Sequence, residues 1–305
     1  MFTLIIPIYN TEEYIKDCLD SIKNQTFKDF EVLMMNDGST DRSLEIIEEY
    51  AKTDERFKVV SNPNSGISIT RNKGIRMANN PYIVFVDSDD TLNNELLDKL
   101  NDEIKENNPD LIRYGVDVIG ESDDRRYRFN IDSIRNISGE DAIRDWSLSG
   151  ITYALPWVYA IKKDVFIDND LFFTPGRIHE DYLLMPFLIA NSKKVSVIDY
   201  VGYNYLLRQG SISLSNSFEK VERNLLHFVM CYTDIVANID KMNLSDETAL
   251  IFLNDQHRRL MKEMAKSDYD VRVSALSKID ENIFTHDEKM LIKDKSFNKK
   301  SFKKQ

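Results

Sequence analysis

Apolar and polar positions alternate in blocks along the first hundred residues. Residues 4–9 form a short apolar run that ends at Asn10. Behind it, Tyr14, Ile15, Cys18, Leu19 and Ile22 recur at helical spacing, which predicts an amphipathic helix with Asn10 or Thr11 as its cap. A strand is expected at 30–35, then the loop Asn36-Asp37-Gly38-Ser39-Thr40-Asp41, then a helix carrying Leu44, Ile47 and Ala51. The next strand, 57–60, ends at Asn62-Pro63, and a helix over 68–78 leads to a strand at 82–86. Strands this apolar, separated by helices, predict a parallel sheet covered on both faces. Ligands of such sheets bind beyond the carboxyl ends of the strands. The residues there are Tyr9-Asn10, Asn36-Asp37-Gly38, Asn62 and Asp87-Ser88-Asp89-Asp90, so acids and amides crowd one edge.

From residue 110 the pattern is mixed. Strands are expected at 111–119, 127–131 and 157–161, and again at 195–198 and 202–207; helices are expected at 139–148 and, despite Pro186, at 182–190. Beyond Ser215 the character changes. Phe218, Val221, Leu225, Phe228, Tyr232, Ile235 and Ile239 fall on one helical stripe, and Ser245 is placed to cap a helix with Ala249, Leu253, Leu260 and Met264. A boundary is therefore expected near 215, with a first domain over 1–215 and a helical region over 216–305.

Composition narrows the classes. With 305 residues, 42% of them hydrophobic and 30% charged, the chain can bury a substantial core, which excludes wholesale disorder and a fibrous protein. A net charge of −11, from 51 acids against 40 bases, argues against general nucleic-acid binding. The longest apolar run, 182–190, has nine residues, whereas a bilayer span needs about 18 to 20. Met1 leads straight into strand-like sequence, so no signal peptide is expected. Cys18 and Cys231 form no CxxC, and the four histidines show no paired ligand spacing. A reduced, cytoplasmic protein is expected, and any metal site has to be built from carboxylates. The last fifteen residues hold six lysines and one aspartate. That tail is a solubilising terminus or a peripheral contact with the inner face of a membrane.

Five segments carry candidate chemistry, each with a plainer reading beside it. Asp87-Ser88-Asp89-Asp90 spaces carboxylates to hold a hard divalent cation, or simply begins a helix with favourable acids. Asn36 to Asp41 offers an acid to a nucleobase, or a turn and a cap. Asn64-Ser65-Gly66-Ile67-Ser68-Ile69-Thr70-Arg71-Asn72 sets an arginine behind a glycine turn, facing an anion or solvent. His179-Glu180-Asp181 contains a candidate general base, or acids in a first helical turn. Arg208-Gln209-Gly210-Ser211-Ile212-Ser213 is a phosphate-closing loop or a polar connector.

Taken in order, these segments resemble the family 2 glycosyltransferases of GT-A fold, from about residue 2 to residue 213. Ile6-Pro7-Ile8-Tyr9-Asn10 at the first strand end, and Trp157 ahead of Lys162-Lys163-Asp164-Val165-Phe166, add to the likeness. The resemblance implies an α/β, Rossmann-like, mostly parallel sheet flanked by helices, with a nucleotide-sugar half over about 1–110, an acceptor half over 111–215 and a C-terminal helical appendage. It implies that Pro7 and Tyr9 line a base pocket, that Asp37 bonds the base, and that Arg71 lies near base or diphosphate. By the same resemblance Asp87 contacts ribose or metal, and Asp89 is the principal ligand of manganese or magnesium. Asp181 resembles the catalytic base with Glu180 beside it. Arg208, Ser211 and Ser213 resemble the loop that meets the diphosphate, and Trp157 an acceptor-side wall. The implied activity is inverting transfer of one sugar from a nucleotide sugar, UDP being the commonest form, to a glycan or lipid-linked hydroxyl. Thr70 stands where many members have alanine, and no Q-x-x-R-W motif is present, which argues against a processive synthase. A non-catalytic nucleotide-sugar-binding subunit and, further off, a sugar nucleotidyltransferase are the alternatives. The helices beyond 216 are candidates for a homodimer contact.

Overall fold

The computed structural model describes residues 1–120, 134–207, 217–279 and 283–296. The chain opens with β1 (Phe2–Ile8), α1 (Ile15–Lys23), β2 (Phe30–Asp37), α2 (Ser43–Thr53), β3 (Phe57–Asn62), α3 (Ile67–Met77) and β4 (Tyr82–Phe85). β2 is buried at every position and β1 at all but Pro7, as expected for strands covered on both faces. β1 pairs in parallel with β2 and β4, and β2 with β3, so their order is β3-β2-β1-β4. All four strands therefore end on one edge.

The rest of the sheet uses β5 (Thr91–Leu92), β6 (Leu111–Gly120), β7 (Ile134–Ile137), β8 (Tyr159–Lys162) and β9 (Val195–Leu207). β8 joins β4 antiparallel, and the order continues β8-β6-β9-β5, with β7 against β9. Between them lie α4 (Leu96–Asn107), α5 (Gly139–Ser149), α6 (Lys163–Asp168) and α7 (Glu180–Ala190). The two strands expected at 195–198 and 202–207 are one. β9 pairs with β6 along its length, and register slips between Arg113 and Val116 absorb the polar break. Trp157 and Val158 belong to a 3-10 turn, Pro156–Val158, rather than to the strand, because Pro156 opens the turn ahead of β8. The expected strand at 127–131 lies outside the described residues.

The helix caps also differ from expectation. α1 starts behind Tyr14, not at Asn10 or Thr11, and α2 starts behind Arg42, not at Ser39 or Thr40. The polar residues of these two loops bond to each other instead. Asn10, at φ 52°, accepts the Thr40 N–H at 2.8 Å, and Ser39 Oγ accepts the Asn10 N–H at 3.1 Å. Side-chain capacity that helix termini usually claim thus ties the β1 and β2 ends together.

The C-terminal region contributes α8 (Phe218–Ala237), α9 (Asp246–Lys266), α10 (Tyr269–Leu276) and α11 (His286–Ile292). Ser245 caps α9 as expected, accepting the Thr248 N–H at 3.4 Å; Ile239 leaves the α8 stripe for a 3-10 turn, Ile239–Met242. Cys231, Ile235, Met242 and Phe252 join the main hydrophobic core under the sheet. Leu225, Val229, Leu260, Met264, Val271, Ala275, Phe284 and Ile292 belong to a second core. α8 and α9 thus enter both. Among the described residues no helix is long and apolar enough to cross a membrane.

One buried acid joins the first three strands to the turn after α3. Glu31 on β2 accepts from Thr3 Oγ1 at 2.7 Å, Lys58 Nζ at 2.7 Å, and Asn79 through its backbone N at 2.7 Å and its side chain at 2.9 Å. Burial alone would raise its pKa, but the bonds from Lys58, Asn79 and Thr3 outweigh it and hold Glu31 at about 2. A depressed carboxyl contributes stability above its unfolded value, and that stability is lost as pH falls toward 2. Glu31→Gln is therefore expected to cost about 2 kcal/mol at pH 7. Urea unfolding of both chains at pH 7, 5 and 4 checks it, with the gap narrowing below pH 5.

Candidate active site

Pro7, half-buried, and Tyr9, 50% exposed, stand at the end of β1. Asp37 is the last residue of β2 and is buried. Its carboxylate accepts from the Ser65 N–H at 2.8 Å, the Ser65 hydroxyl at 3.0 Å and the Gly66 N–H at 2.9 Å. In the structure it holds the turn that starts α3, a part the sequence reading did not give it. Gly66 is the N-cap of α3 at φ 90°, a conformation that suits glycine. Lower on α3, a Cβ on Gly74 would lie 2.6 Å from Ile5 Cγ2, so only glycine lets the helix sit this close to β1.

That close seating carries Arg71 to the centre of the edge. Its side chain is buried, with Nη2 3.0 Å from Asp87 Oδ1 and Nη1 2.8 Å from Glu180 Oε1. The guanidinium also packs over Phe173, 5.2 Å from the ring centroid. Asp87 follows β4, whereas Glu180 is the first residue of α7, 109 positions beyond Arg71. One cation thus joins the strand ends to the later half of the chain.

The acids around Arg71 exceed its charge. Burial raises the Asp87 pKa, opposed by Arg71 and reinforced by Asp89. Burial and then the Glu180 charge push Asp181 up to about 7, against the pull of Arg71. Asp181 also accepts its neighbour Tyr182's N–H at 2.7 Å. Asp89 is half-buried beside them. Among the described residues no group of three or more His, Cys, Asp or Glu side chains is disposed to hold a metal by itself.

Asp90 was part of the acidic run without a role of its own. It is buried, accepts from Tyr203 Oη at 2.7 Å and from the Leu206 N–H at 2.7 Å, and rises to about 8 through burial and the charges of Asp87 and Asp89. Tyr203 Oη also accepts the Asp87 N–H at 3.1 Å. The acidic loop is thereby fixed to β9. No local pattern marks Tyr203, 113 positions from Asp90, as a partner. Trp157 is buried, with its ring 4.6 Å from Tyr203 and 5.4 Å from Tyr205, both stacked. Arg208, Ser211 and Ser213 lie outside the described residues, as does most of the basic tail.

The family model for glycosyl transferase family 2 matches residues 3–166, more than half of the chain. The chain belongs to that family. It is 41% identical over 218 residues to the uncharacterized glycosyltransferase EpsJ of Bacillus subtilis, covering 70% of this chain and 63% of EpsJ. Thus the match spans less than two thirds of that relative. It is 34% identical over 209 residues to the poly(ribitol-phosphate) beta-N-acetylglucosaminyltransferase TarP of Staphylococcus aureus, covering 66% of this chain and 61% of TarP. Residues 1–349 of S. aureus TarS superpose with a TM-score of 0.66 at 21% identity, over 96% of this chain and 90% of that one. TarS has also been solved in complex with UDP-GlcNAc, with a TM-score of 0.64 at 20% identity, over the same shares of the two chains. These structures bear out the GT-A architecture, a large mostly parallel sheet flanked by helices with further helices at the C-terminus.

Removing Arg71 leaves a cluster of carboxylates without its buried counter-charge. Arg71→Met is expected to lower stability by about 3–5 kcal/mol at pH 8. The deficit is expected to shrink toward pH 5.5, where the acids take up protons. Denaturant unfolding of both chains at the two pH values measures it.

Proposed function

We propose that the chain is an inverting, metal-dependent glycosyltransferase that moves one sugar from a UDP-sugar to a hydroxyl of a glycan or lipid-linked acceptor. The observation that carries this reading is Asp181, a carboxyl held near pH 7 beside an acid-lined strand edge. A sugar hydroxyl is a weak nucleophile, and a general base works best with a pKa near the operating pH. The names of TarP and of the TarS–UDP-GlcNAc complex favour an N-acetylhexosamine donor bound through UDP and a polyol-phosphate or related glycan acceptor.

In this reading Pro7 and Tyr9 receive the base, and Asp37 keeps the Ser65-Gly66 turn in place at the pocket floor. Asp181 takes the proton of the acceptor hydroxyl as its oxygen bonds to the anomeric carbon. The bond from that carbon to the diphosphate breaks on the opposite face, its electron pair leaving on the nucleoside diphosphate, so the configuration inverts. The donor set suits magnesium or manganese, which commonly take one or two carboxylates and complete their shell with substrate phosphates and water. Asp89 and Asp87 would hold the cation, which offsets the charge developing on the diphosphate. Arg71 stays with Asp87 and Glu180, and so orients the two acids that flank the reaction. Trp157, buried behind Tyr203 and Tyr205, supports the acceptor side from beneath.

Two outcomes test the assignment. Asp181→Asn is expected to abolish transfer while keeping UDP affinity, and Asp89→Ala to lose manganese-dependent UDP binding. Calorimetric titration and product assays read both. Metal-dependent hydrolysis of a panel of nucleotide sugars by the intact chain separates an enzyme from a binding subunit and names the donor. The pH profile adds a third outcome. A base must be ionised, so kcat/KM is expected to fall tenfold per pH unit below about 7. Glu180→Gln removes the charge that raises Asp181 and is expected to move that limb to lower pH. A limb that stays in place assigns the titration to another group.

A further inference from the structure

The segment that carries Glu180 and Asp181 is not held by the α/β layer alone. Five residues on one face of α8 contact the stretch from Arg177 to Tyr182. His227 Nδ1 accepts the Ile178 N–H at 3.0 Å. Cys231 Sγ lies 3.7 Å from the Ile178 carbonyl oxygen and 3.5 Å from that of His179. Asp234 Oδ2 accepts from Arg177 Nε at 3.2 Å and Nη2 at 2.9 Å. The Phe228 ring stacks on Tyr182 at 4.5 Å and meets His179 edge-on at 5.7 Å. Met230 Sδ lies 3.8 Å from Arg177 Nη1. Residues 227, 228, 230, 231 and 234 recur at helical spacing, so a single helix face reads this one segment.

The segment needs such a support. His179 is the N-cap of α7 and sits at φ 65°, a conformation that costs a non-glycine residue about 1 kcal/mol or more. It persists only where its surroundings over-determine it. That kink turns the chain so that the next residue, Glu180, reaches Arg71. Among the described residues the Asp181 side chain hydrogen-bonds its own helix, through Tyr182, so the direction of the helix start sets where it points.

We propose that α8 is the positioning element of the catalytic segment, with His227 as its central residue, acting through the Ile178 N–H and the His179 kink to aim Asp181. His227 does this as a neutral ring, with Nδ1 free of a proton. Burial and the charges of Arg177 and Arg223 lower its pKa and keep it in that form. The C-terminal helices are on this account part of the active site, although none of these α8 residues touches substrate in the scheme. The inference rests on the proposed role of Asp181.

His227→Leu removes the acceptor, and His227→Asn returns one, because an asparagine Oδ1 occupies nearly the place of Nδ1. His227→Leu is expected to lower kcat at least tenfold with KM for the donor within about twofold, and His227→Asn to recover kcat to within about threefold of the natural chain. Asp234→Asn, at a partly exposed ion pair, is expected to lower kcat about threefold with the same split. Hydrogen–deuterium exchange of the peptide spanning residues 177–182 provides a readout that needs no turnover. It is expected to quicken in His227→Leu and Asp234→Asn and to slow again in His227→Asn. Unchanged exchange in His227→Leu and Asp234→Asn overturns the proposal, whether or not the chain turns over sugar nucleotide. So does a loss of kcat matched by an equal loss of donor affinity. If the natural chain shows no turnover while exchange follows expectation, the functional reading fails and the positioning role stands.

Discussion

Arg71 is the charge on which the edge of the sheet depends. A guanidinium taken out of water is costly unless acceptors meet it, and the two that do so come from two separate stretches of the chain. Asp87 follows β4, and Glu180 begins α7. Each contributes a carboxylate that would itself be costly to bury alone. The pair of bonds therefore makes the strand edge and the α7 start conditional on each other. Much that looks incidental upstream serves this seating. Gly74 lets α3 lie against Ile5, and Asp37 fixes the turn from which α3 starts. Phe173 gives the guanidinium a flat surface, and Asn72 bonds the Phe173 backbone in both directions, at 2.7 and 2.9 Å.

The same pairing leaves negative charge in excess. Among the described residues Asp87, Asp89, Glu180 and Asp181 gather around one arginine, and burial, reinforced by that shortage, shifts Asp87 and Asp181 upward. In the proposed chemistry the shortage has two consequences. It makes the edge receptive to a divalent cation arriving with a diphosphate, and it keeps Asp181 basic enough to accept a proton near neutrality. Asp90 stands apart from this. Its oxygens are committed to Tyr203 and Leu206, so it fixes the loop to β9 rather than adding to the open face.

Period and polarity made the first half of the fold legible. β1, β2 and β4 are mostly apolar runs ended or followed by an acid or amide, as buried parallel strands require, whereas β3 at the sheet's edge carries Lys58 and Ser61 and is only partly buried. The candidate residues at those ends do lie on one edge, since parallel strands share a direction. Partnerships were not legible. Asn10 and Ser39 look like caps because their chemistry suits caps, yet tertiary proximity assigns them to each other. β9 reads as two strands because the polar residues near 200 interrupt its pattern, and only pairing with β6 shows it to be one. Tyr203 and His227 carry no local mark at all. Each acts on a backbone N–H or carboxylate brought to it by the fold, from 116 positions away for Asp87 and 49 for Ile178.

The composition change near residue 215 suggested an appendage, and the helices beyond it do form a core of their own. Yet Cys231 and Ile235 sit in the main core while Cys231 and its neighbours on α8 grip residues 177–182. A helix both buried in the core and bonded along the same face has little freedom to shift. That is what a strained αL residue next to a reacting group requires, because His179 gains nothing from its conformation locally and is held there by contacts. On the proposed account the sheet edge supplies the charges of the site, and the aim of Asp181 comes from α8, the first helix beyond residue 215. Arg71 and residues 177–182 link the two, so in the proposed chemistry those contacts govern how precisely base and leaving group are opposed.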